Sequence, residues 1–287
     1  MNAWVEHDKG EALYPHEAIE GALHALLDHG AEVDAGHWQG YPTQGKPDLL
    51  TKEIINLTFT AHIPVQPAVA ADECKPNLPW AEVEFEERVG RQPRNPHASL
   101  VQWPHWREQS DSTMHNGMFS HTYSERFWPR GVYADGTYTK EPPLGMRYRW
   151  GDLDDVIDLL VEHPHTRQAT FPIFFPEDTG ARHGGRIPCT LHYHFLMRDN
   201  RLHMWYPIRS CDAYRHFRDD VYMAMRLCQW VLNEVREADL RSEAPHGYNW
   251  DRVKPGVLCF TAYSFHVHMG DMAHLLRENT HAAPATR

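Results

Sequence analysis

The sequence is poor in cysteine, and its cysteines follow no structural pattern. The 287 residues include five, with no Cys-x-x-Cys pair among them, so neither a disulfide framework nor a zinc knuckle is indicated. No apolar run approaches the roughly 20 residues that a transmembrane helix needs. The first residues, MNAWVEHDKG, lack the basic and apolar segments of a secretory signal peptide. We therefore expect a cytoplasmic protein with reduced thiols and no membrane partner.

Positive charge is the second shortage. The chain has 28 lysines and arginines against 39 aspartates and glutamates, a formal net charge of −11. A broad nucleic-acid surface needs many cationic side chains to meet the phosphates, so this class of partner is disfavoured. A small anionic ligand stays compatible with the composition, because a few arginines can bind one phosphate group.

The length and the apolar content fit a globular protein with a large core. Hydrophobic residues make up 41% of the chain, which is an ordinary share for one large domain. We predict a single domain over residues 1–287, with residues 1–45 as an N-terminal extension and residues 277–287 as a loose tail.

Periodicity in the N-terminal half predicts few regular elements. Residues 16–30 and 80–90 have helical patterns, and residues 53–65 are rich in β-branched residues, as strands are. Residues 67–79 are rich in alanine and proline and predict a loop. Residues 93–143 interleave Pro, Trp, His and Gly, and so long an irregular stretch usually carries function.

The C-terminal half has clearer patterns. Helices are predicted at 151–163, 219–235 and 271–279, and strands at 168–176 and 256–270. The runs 189–198 and 201–208 flank Asp199-Asn200, a pair that predicts a hairpin with a tight turn. These elements predict an α+β domain around a substantial sheet.

Cys189 is a candidate nucleophile. A nucleophilic cysteine needs a nearby cation and access to substrate. Cys189 begins the first strand of the predicted hairpin, and Arg209 lies at the end of the second. The hairpin would therefore return Arg209 to the cysteine. The alternative is an inert buried cysteine, which is the commoner fate of a lone thiol.

Several residues together resemble the thymidylate synthase superfamily. Pro188-Cys189 is followed by Arg209-Ser210, with Asp212 close behind and an acid eight residues later. The further matches are Glu82 within WAEVEFE, Tyr123 with Trp128, Thr166-Arg167, and Phe265-His266-Val267. The resemblance covers roughly residues 45–275.

The resemblance implies a fold, a cofactor and partners. The family fold is a large mixed β-sheet covered by helices, and two copies form a homodimer through their sheets. The co-substrate is 5,10-methylenetetrahydrofolate, the substrate is a pyrimidine nucleoside monophosphate, and no metal is required. Arg167 would reach across the dimer to the phosphate in the other subunit's site.

Individual roles also follow from the resemblance. The residues with implied catalytic roles are Cys189, Glu82, Asp212 and Tyr123. The residues with implied substrate-binding roles are Arg209, Ser210, Arg167, Asp220, His266 and His268. The residues with implied folate-binding roles are Asp212, Trp103 and Trp106.

Asp220 bears on the choice of base. Thymidylate synthases carry an asparagine at the matching position, which can accept from uracil N3–H and donate to O4. A protonated aspartate instead donates to cytosine N3 and accepts from the 4-amino group. The alternative for the pair Asp219-Asp220 is that acids open the helix and complement its dipole, which fits Asp219 better. Phe-Arg-Asp-Asp and Cys189-Thr190 resemble the deoxycytidylate hydroxymethylases.

The expected reaction is therefore one-carbon transfer to C5 of a cytidine nucleotide, giving 5-hydroxymethyl-dCMP. The polar tail THAAPATR fits a wetter site, where water and not hydride completes the transfer. The alternatives are a CMP hydroxymethylase of a nucleoside antibiotic pathway and C5 methylation of dCMP or dUMP. Sugar choice stays open, because His268 replaces a tyrosine of the family and Gln168 replaces an arginine. Lys46 or Lys52 is the candidate substitute for the family's N-terminal phosphate arginine.

A metal-dependent enzyme is the alternative from another class. The chain has 22 histidines, and two His-x-His pairs, His192 with His194 and His266 with His268, would each share a strand face. Two imidazoles on one face begin a metal site, but the sequence offers no third ligand beside either pair.

Overall fold

The computed structural model describes most of the chain. The described residues are 2–4, 12–38, 41–103, 105, 114–115, 117–129, 151–179, 187–241 and 248–280.

Seven helices and eleven strands make up the regular structure of the described residues. The helices are α1 (Pro15–His29), α2 (Pro67–Cys74), α3 (Trp80–Val89), α4 (Tyr123–Phe127), α5 (Leu153–Glu162), α6 (Phe217–Arg241) and α7 (Met272–Thr280). The strands are β1 (Asn2–Trp4), β2 (Ala31–Val33), β3 (His37–Trp38), β4 (Tyr41–Pro42), β5 (Thr51–His62), β6 (Met114–His115), β7 (Met118–Phe119), β8 (Thr170–Pro172), β9 (His192–Arg198), β10 (Arg201–Asp212) and β11 (Lys254–His268).

One mixed sheet organises the fold, which confirms the predicted α+β class. Its order is β1-β5-β11-β10-β9-β8, and β2 also pairs with β5. The pairs β1–β5 and β10–β11 are parallel, and the others are antiparallel. In the parallel pair, Asp212 lies opposite His266. The carboxyl ends of β10 and β11 therefore meet at one edge of the sheet.

The hairpin of β9 and β10 forms as the sequence predicts. Asp199 and Asn200 both have positive φ, 52° and 56°, the conformation of a two-residue type I′ turn. Asn and Asp tolerate this region better than other non-glycine residues. The turn fixes the register, so Arg201 lies opposite Arg198.

Helix α6 covers one face of the sheet. Phe217 in its first turn is fully buried and packs edge-on against Phe265, at 4.7 Å between ring centroids, and near Phe59 and Phe260. Burying a phenylalanine contributes about 1.5–3 kcal/mol. This anchor holds the start of α6, which carries Asp219 and Asp220, over the ends of the central strands.

The opposite face of the sheet carries exposed apolar side chains. Ile55, Tyr263 and Trp205 are 61%, 49% and 37% exposed, and each directly follows a buried residue of its strand. Large exposed apolar side chains on one sheet face mark an interaction surface when they are contiguous.

Three predicted boundaries are wrong. Residues 67–79 are not all loop, because α2 occupies the first eight of them. Their prolines flank the helix, and Pro67 stands in its first turn, where the missing N–H costs nothing. The strand predicted at 168–176 is only Thr170–Pro172, since proline cannot donate to a ladder. Residues 277–280 continue α7 and are not part of a loose tail; residues 281–287 lie outside the described residues.

Within the described part of the chain, no helix has the length and apolar character that crossing a membrane requires.

Candidate functional site

The hairpin brings Arg209 to Cys189, as its geometry predicts. The Arg209 amide donates to the Cys189 carbonyl at 2.8 Å. The guanidinium donates from Nε to the Pro188 carbonyl and from Nη2 to the Ile187 carbonyl, and Nη2 lies 3.7 Å from the Cys189 sulfur. These bonds fix the guanidinium against the thiol. Cys189 is half-buried and free of any disulfide.

A chain of hydroxyl groups runs beside the cysteine. The Tyr123 hydroxyl is 3.1 Å from Thr190 Oγ1, which is 3.1 Å from the Tyr206 hydroxyl. Burial raises the pKa of Tyr123 well above its usual range, and the neighbouring Cys189 adds to the effect. Tyr123 therefore stays protonated and can act as a hydrogen-bond donor near the thiol.

A buried arginine from α3 faces the same region. Arg88 is 7% exposed, and its guanidinium carbon lies 4.1 Å from the centre of the Tyr123 ring. Burial opposes its charge, but Glu84 and two tyrosines together raise its pKa. Arg88 is thus a permanent positive charge inside the protein, stacked on an aromatic face.

Glu84 holds Arg88 in place through a buried network. Glu84 Oε1 accepts from Arg88 Nε at 2.8 Å, and Oε2 accepts from His97 Nδ1 at 3.0 Å and from the Ser99 hydroxyl at 2.6 Å. The other ring nitrogen of His97 is 2.6 Å from Ser124 Oγ. Burial works against the Glu84 charge, but Arg88 and His97 outweigh it and bring its pKa down to about 2.

Asp220 lies close to these groups and keeps a proton more readily than a surface aspartate. It is half-buried, and the Cys211 thiol is 3.9 Å from its Oδ2. Burial raises its pKa to about 7; the positive charge of Arg88 works in the opposite direction, and Asp219 adds to the rise. Asp220 can therefore be either a donor or an acceptor near neutral pH.

Asp219 points elsewhere, as the helical geometry predicts. Its two carboxylate oxygens accept from the Asn77 amide and from Asn77 Nδ2, each at 2.7 Å. Asp219 lies in the first turn of α6, as predicted for an acid that complements the helix dipole, and its carboxylate also ties the loop before α3 to α6. Burial raises its pKa to about 6.

Asp212, His266 and His268 meet at the edge where β10 and β11 end. One ligating atom of each lies within 4.8 Å of those of the other two. The sequence suggested no third ligand for the pair His266 and His268, and the structure supplies Asp212. Ser210, on the same strand as Asp212, is half-buried opposite Ser264.

Glu82 binds away from this group in the described contacts. It accepts from Arg226 Nε at 2.8 Å and also from the Tyr222 hydroxyl. Burial opposes its ionisation, but these two partners lower its pKa. The acid of α3 that joins the buried network around Arg88 is Glu84.

The remaining predicted residues are dispersed. Trp103 is buried and stacks on His216, with ring centroids 4.8 Å apart, and Trp106 lies outside the described residues. Arg167 is exposed on the turn between α5 and β8. Lys52 donates to the Leu27 carbonyl at the end of α1, which commits its ammonium group to the fold.

The second histidine pair lies on a different strand of the sheet, β9. His192 and His194 are half-buried on β9, and His194 Nδ1 is 2.7 Å from Thr170 Oγ1. Among the described residues, no carboxylate or thiol joins them in a metal-binding group.

Arg88, Glu84 and His97 are site residues that sequence reasoning missed. The spacing of Glu84 and Arg88, four residues apart, is visible in the sequence and predicts a helical ion pair. Nothing in the sequence shows that this pair is buried, because a surface helix carries the same spacing.

No protein-family model matches the chain, and no curated protein matches it. Its chemistry therefore rests on the geometry of these residues and on the resemblance that they carry.

Proposed function

We propose that this protein transfers a one-carbon unit from 5,10-methylenetetrahydrofolate to C5 of a cytidine nucleotide, with 5-hydroxymethyl-dCMP as the favoured product. The observation that carries the proposal is the half-buried, unpaired Cys189 thiol, whose sulfur lies 3.7 Å from Arg209 Nη2. A nucleophilic cysteine needs a cation nearby, and Arg209 supplies one. Arg209 Nη1 has no hydrogen-bond partner within the described part of the chain and is left to bind an anion such as a phosphate.

The chemistry follows from a thiolate beside a pyrimidine. The sulfur adds to C6, and the electron pair displaced to C5 attacks the methylene carbon of the folate. Loss of the C5 proton and departure of tetrahydrofolate leave an exocyclic methylene group. Water adds to this group, and the Cys189 sulfur leaves C6 to regenerate the enzyme. Tyr123, which stays protonated, would help to relay the C5 proton through ordered water.

Asp220 is the residue that we assign to the base. Its pKa of about 7 makes the protonated form available near neutral pH. In that form it donates to cytosine N3 and accepts from the 4-amino group. The alternatives, CMP as the substrate and methylation of dCMP or dUMP, share this site and differ in the sugar or in the final step.

A second copy of the chain is part of the proposal. Ile55, Trp205 and Tyr263 expose apolar surface on the sheet face opposite α6, and two such faces could pack together. The exposed position of Arg167 beside β8 fits a role in the partner's site and not in its own.

A mechanism-based trap tests the proposal. We expect 5-fluoro-dCMP with methylenetetrahydrofolate to form a stable covalent adduct. The reaction requires loss of a proton from C5, and the fluorine that replaces this hydrogen cannot be removed in the same way. Intact-mass spectrometry should show one added nucleotide and one folate per active site. Cys189→Ala should form no adduct, and the matched control Cys259→Ala, another half-buried thiol, should form it normally. Adduct formation by Cys189→Ala, or none by the wild type, would rule out the mechanism.

Base choice is tested with Asp220→Asn. A mispaired donor or acceptor at a buried base edge costs about 1–3 kcal/mol. We expect the ratio of kcat/KM for dCMP over dUMP to fall about tenfold to hundredfold. Comparing dCMP with CMP in the wild type identifies the sugar. An unchanged ratio in Asp220→Asn would remove the assignment of Asp220 to the base.

A further inference from the structure

The edge where β10 and β11 end carries three metal-ligating side chains on two adjacent strands. Asp212 is opposite His266 in the parallel register, and His268 follows two residues later on the same side of β11. One ligating atom of each lies within 4.8 Å of those of the others. The convergence comes from strand pairing, which is rigid, and not from a loop.

Two of the three groups have one polar atom held by hydrogen bonds within the protein. Asp212 Oδ1 accepts from the amides of Tyr214 and Arg215, each at 3.0 Å. His266 Nδ1 lies 3.3 Å from the Ser264 hydroxyl. Protein metal ligands are commonly oriented in this way, by a hydrogen bond to the atom that does not bind the metal.

His268 provides an independent indication of a ligand. Its side chain is buried, at 6% exposure, and Trp38 packs edge-on against it at 5.7 Å. Its Nδ1 is buried and has no hydrogen-bond partner among the residues that the structure describes. A buried polar atom without a partner costs about 1–3 kcal/mol, and a bound ligand would remove that cost.

The charges around the group favour a cation. The nearby cation, Arg215, has its Nε 2.8 Å from Asp271 Oδ2 and 3.9 Å from Asp212 Oδ2. Two carboxylates therefore share one guanidinium, which leaves a net negative charge beside the two histidines.

We propose that Asp212, His266 and His268 bind a divalent transition-metal ion, of the zinc, iron(II) or cobalt(II) class. Two imidazole nitrogens and one carboxylate oxygen are a ligand set typical of these ions, with further positions open to water or substrate. Metal–ligand bonds of about 2.1 Å at tetrahedral angles place the ligand atoms about 3.4 Å apart. The three groups would therefore have to close by up to about 1.4 Å.

The proposed cation site uses three residues to which the resemblance gives roles in nucleotide or folate binding. The resemblance gives His266 a contact with a sugar hydroxyl and implies no metal, so the two assignments are tested by different measurements. Metal binding is measured with no nucleotide or folate present, and its outcome leaves the Cys189 adduct experiment unaffected.

Cobalt(II) is the probe, because its visible absorption reports the ligands and their number. After treatment with a chelator, the full chain is titrated with Co²⁺, and the bound ion is then displaced with Zn²⁺. We expect one ion per chain, with a d–d spectrum of a four- to six-coordinate site. Asp212→Asn and His268→Gln should each weaken the affinity at least about tenfold, as the loss of a ligand does.

The matched control is the histidine pair of β9. In a chain with 22 histidines, adventitious binding is the competing explanation. His192→Gln and His194→Gln should leave the affinity unchanged. His266→Gln, at a half-buried position, is the second ligand variant if His268→Gln does not fold. Co²⁺ binding that survives both Asp212→Asn and His266→Gln, or no stoichiometric binding by the wild type, overturns the proposal.

Discussion

The adjacent residues Asp219 and Asp220 of α6 have different roles, because a helix turns successive side chains about 100° apart. Asp219 is buried and bonded to Asn77, so it serves the fold. Asp220 is half-buried beside Cys211 and under the influence of Arg88, so it stays free to bind a ligand. A shift of the helix by one residue would exchange the positions of the two carboxylates.

The raised pKa values of these two carboxyl groups predict how stability depends on pH. Asp220 changes from an ordinary value of 3.8 to about 7, and Asp219 from 3.8 to about 6. Between about pH 4 and pH 7 the folded state therefore binds more protons than the unfolded state. The free energy of unfolding should fall as pH rises through this window, by up to about 1.4 kcal/mol per pH unit for each group.

Chemical denaturation of Asp220→Asn from pH 4 to pH 8 checks this expectation. The variant should lose the part of the slope between about pH 4 and pH 7 that Asp220 contributes. Asp212→Asn is the control, since the pKa of Asp212 is lowered from its ordinary value of 3.8. The contribution of Asp212 to stability changes with pH only below about pH 4, so this variant should keep the wild-type slope between about pH 4 and pH 7. An Asp220→Asn profile parallel to that of the wild type would contradict the assignment.

At the scale of elements, α3 separates two glutamates that the sequence cannot tell apart. Glu84 is 3% exposed and accepts from donors on both oxygens, whereas the Glu82 side chain is 30% exposed beside Arg226. We expect Glu84→Gln to lower the free energy of unfolding by about 3–5 kcal/mol, because it leaves the buried Arg88 uncompensated. Glu82→Gln should cost about 1 kcal/mol or less.

Urea denaturation measures both changes, and folate-dependent turnover separates structure from catalysis. If Glu82 is the catalytic glutamate that the resemblance implies, Glu82→Gln will fold normally and lose turnover. If turnover of Glu82→Gln stays normal, the resemblance has assigned the role to the wrong acid of α3. Equal destabilisation by the two variants would contradict the burial difference.

The sequence predicts the hairpin of β9 and β10 but not the burial of Arg88, because sequence patterns report local structure and not contacts between distant residues. The alternation of β9 and β10 and the turn at Asp199-Asn200 are local, and they suffice to place Arg209 opposite Cys189. Arg88 depends on distant residues: the Trp128 indole donates to its backbone carbonyl at 2.7 Å, and Tyr123 covers its guanidinium. The meeting of Asp212 with His268 depends likewise on the parallel register of β10 and β11, which no local pattern encodes.

At the scale of the whole molecule, the exposed sheet face predicts the oligomeric state. We expect a dimer in solution, which sedimentation velocity can detect. Trp205→Glu combined with Tyr263→Glu should give a monomer, because charges on an apolar interface cannot be paired there. The matched control is Leu240→Glu, at an apolar residue that is 83% exposed on α6, and this variant should stay dimeric. A monomeric wild type would exclude the shared site.

Subunit mixing tests whether Arg167 acts in the partner's site. Cys189→Ala and Arg167→Ala proteins should each be inactive, and a mixed dimer has one complete site of two. Random exchange should therefore restore about a quarter of the wild-type activity per subunit. Confirmed exchange without any recovery would place Arg167 outside the site.

The topology of the sheet predicts that the pair Cys189 and Arg209 forms earlier in folding than the pair Asp212 and His266. Cys189 and Arg209 are twenty residues apart and belong to one hairpin, a unit that closes within about 1–10 μs. Asp212 meets His266 only after α6 has formed and β11 has returned parallel to β10, and such long-range parallel pairing is intrinsically slow. In a folding chain, Cys189 and Arg209 would thus be close together before His266 and His268 reach their positions on β11. The Cys189 sulfur would be exposed to oxidants during that interval.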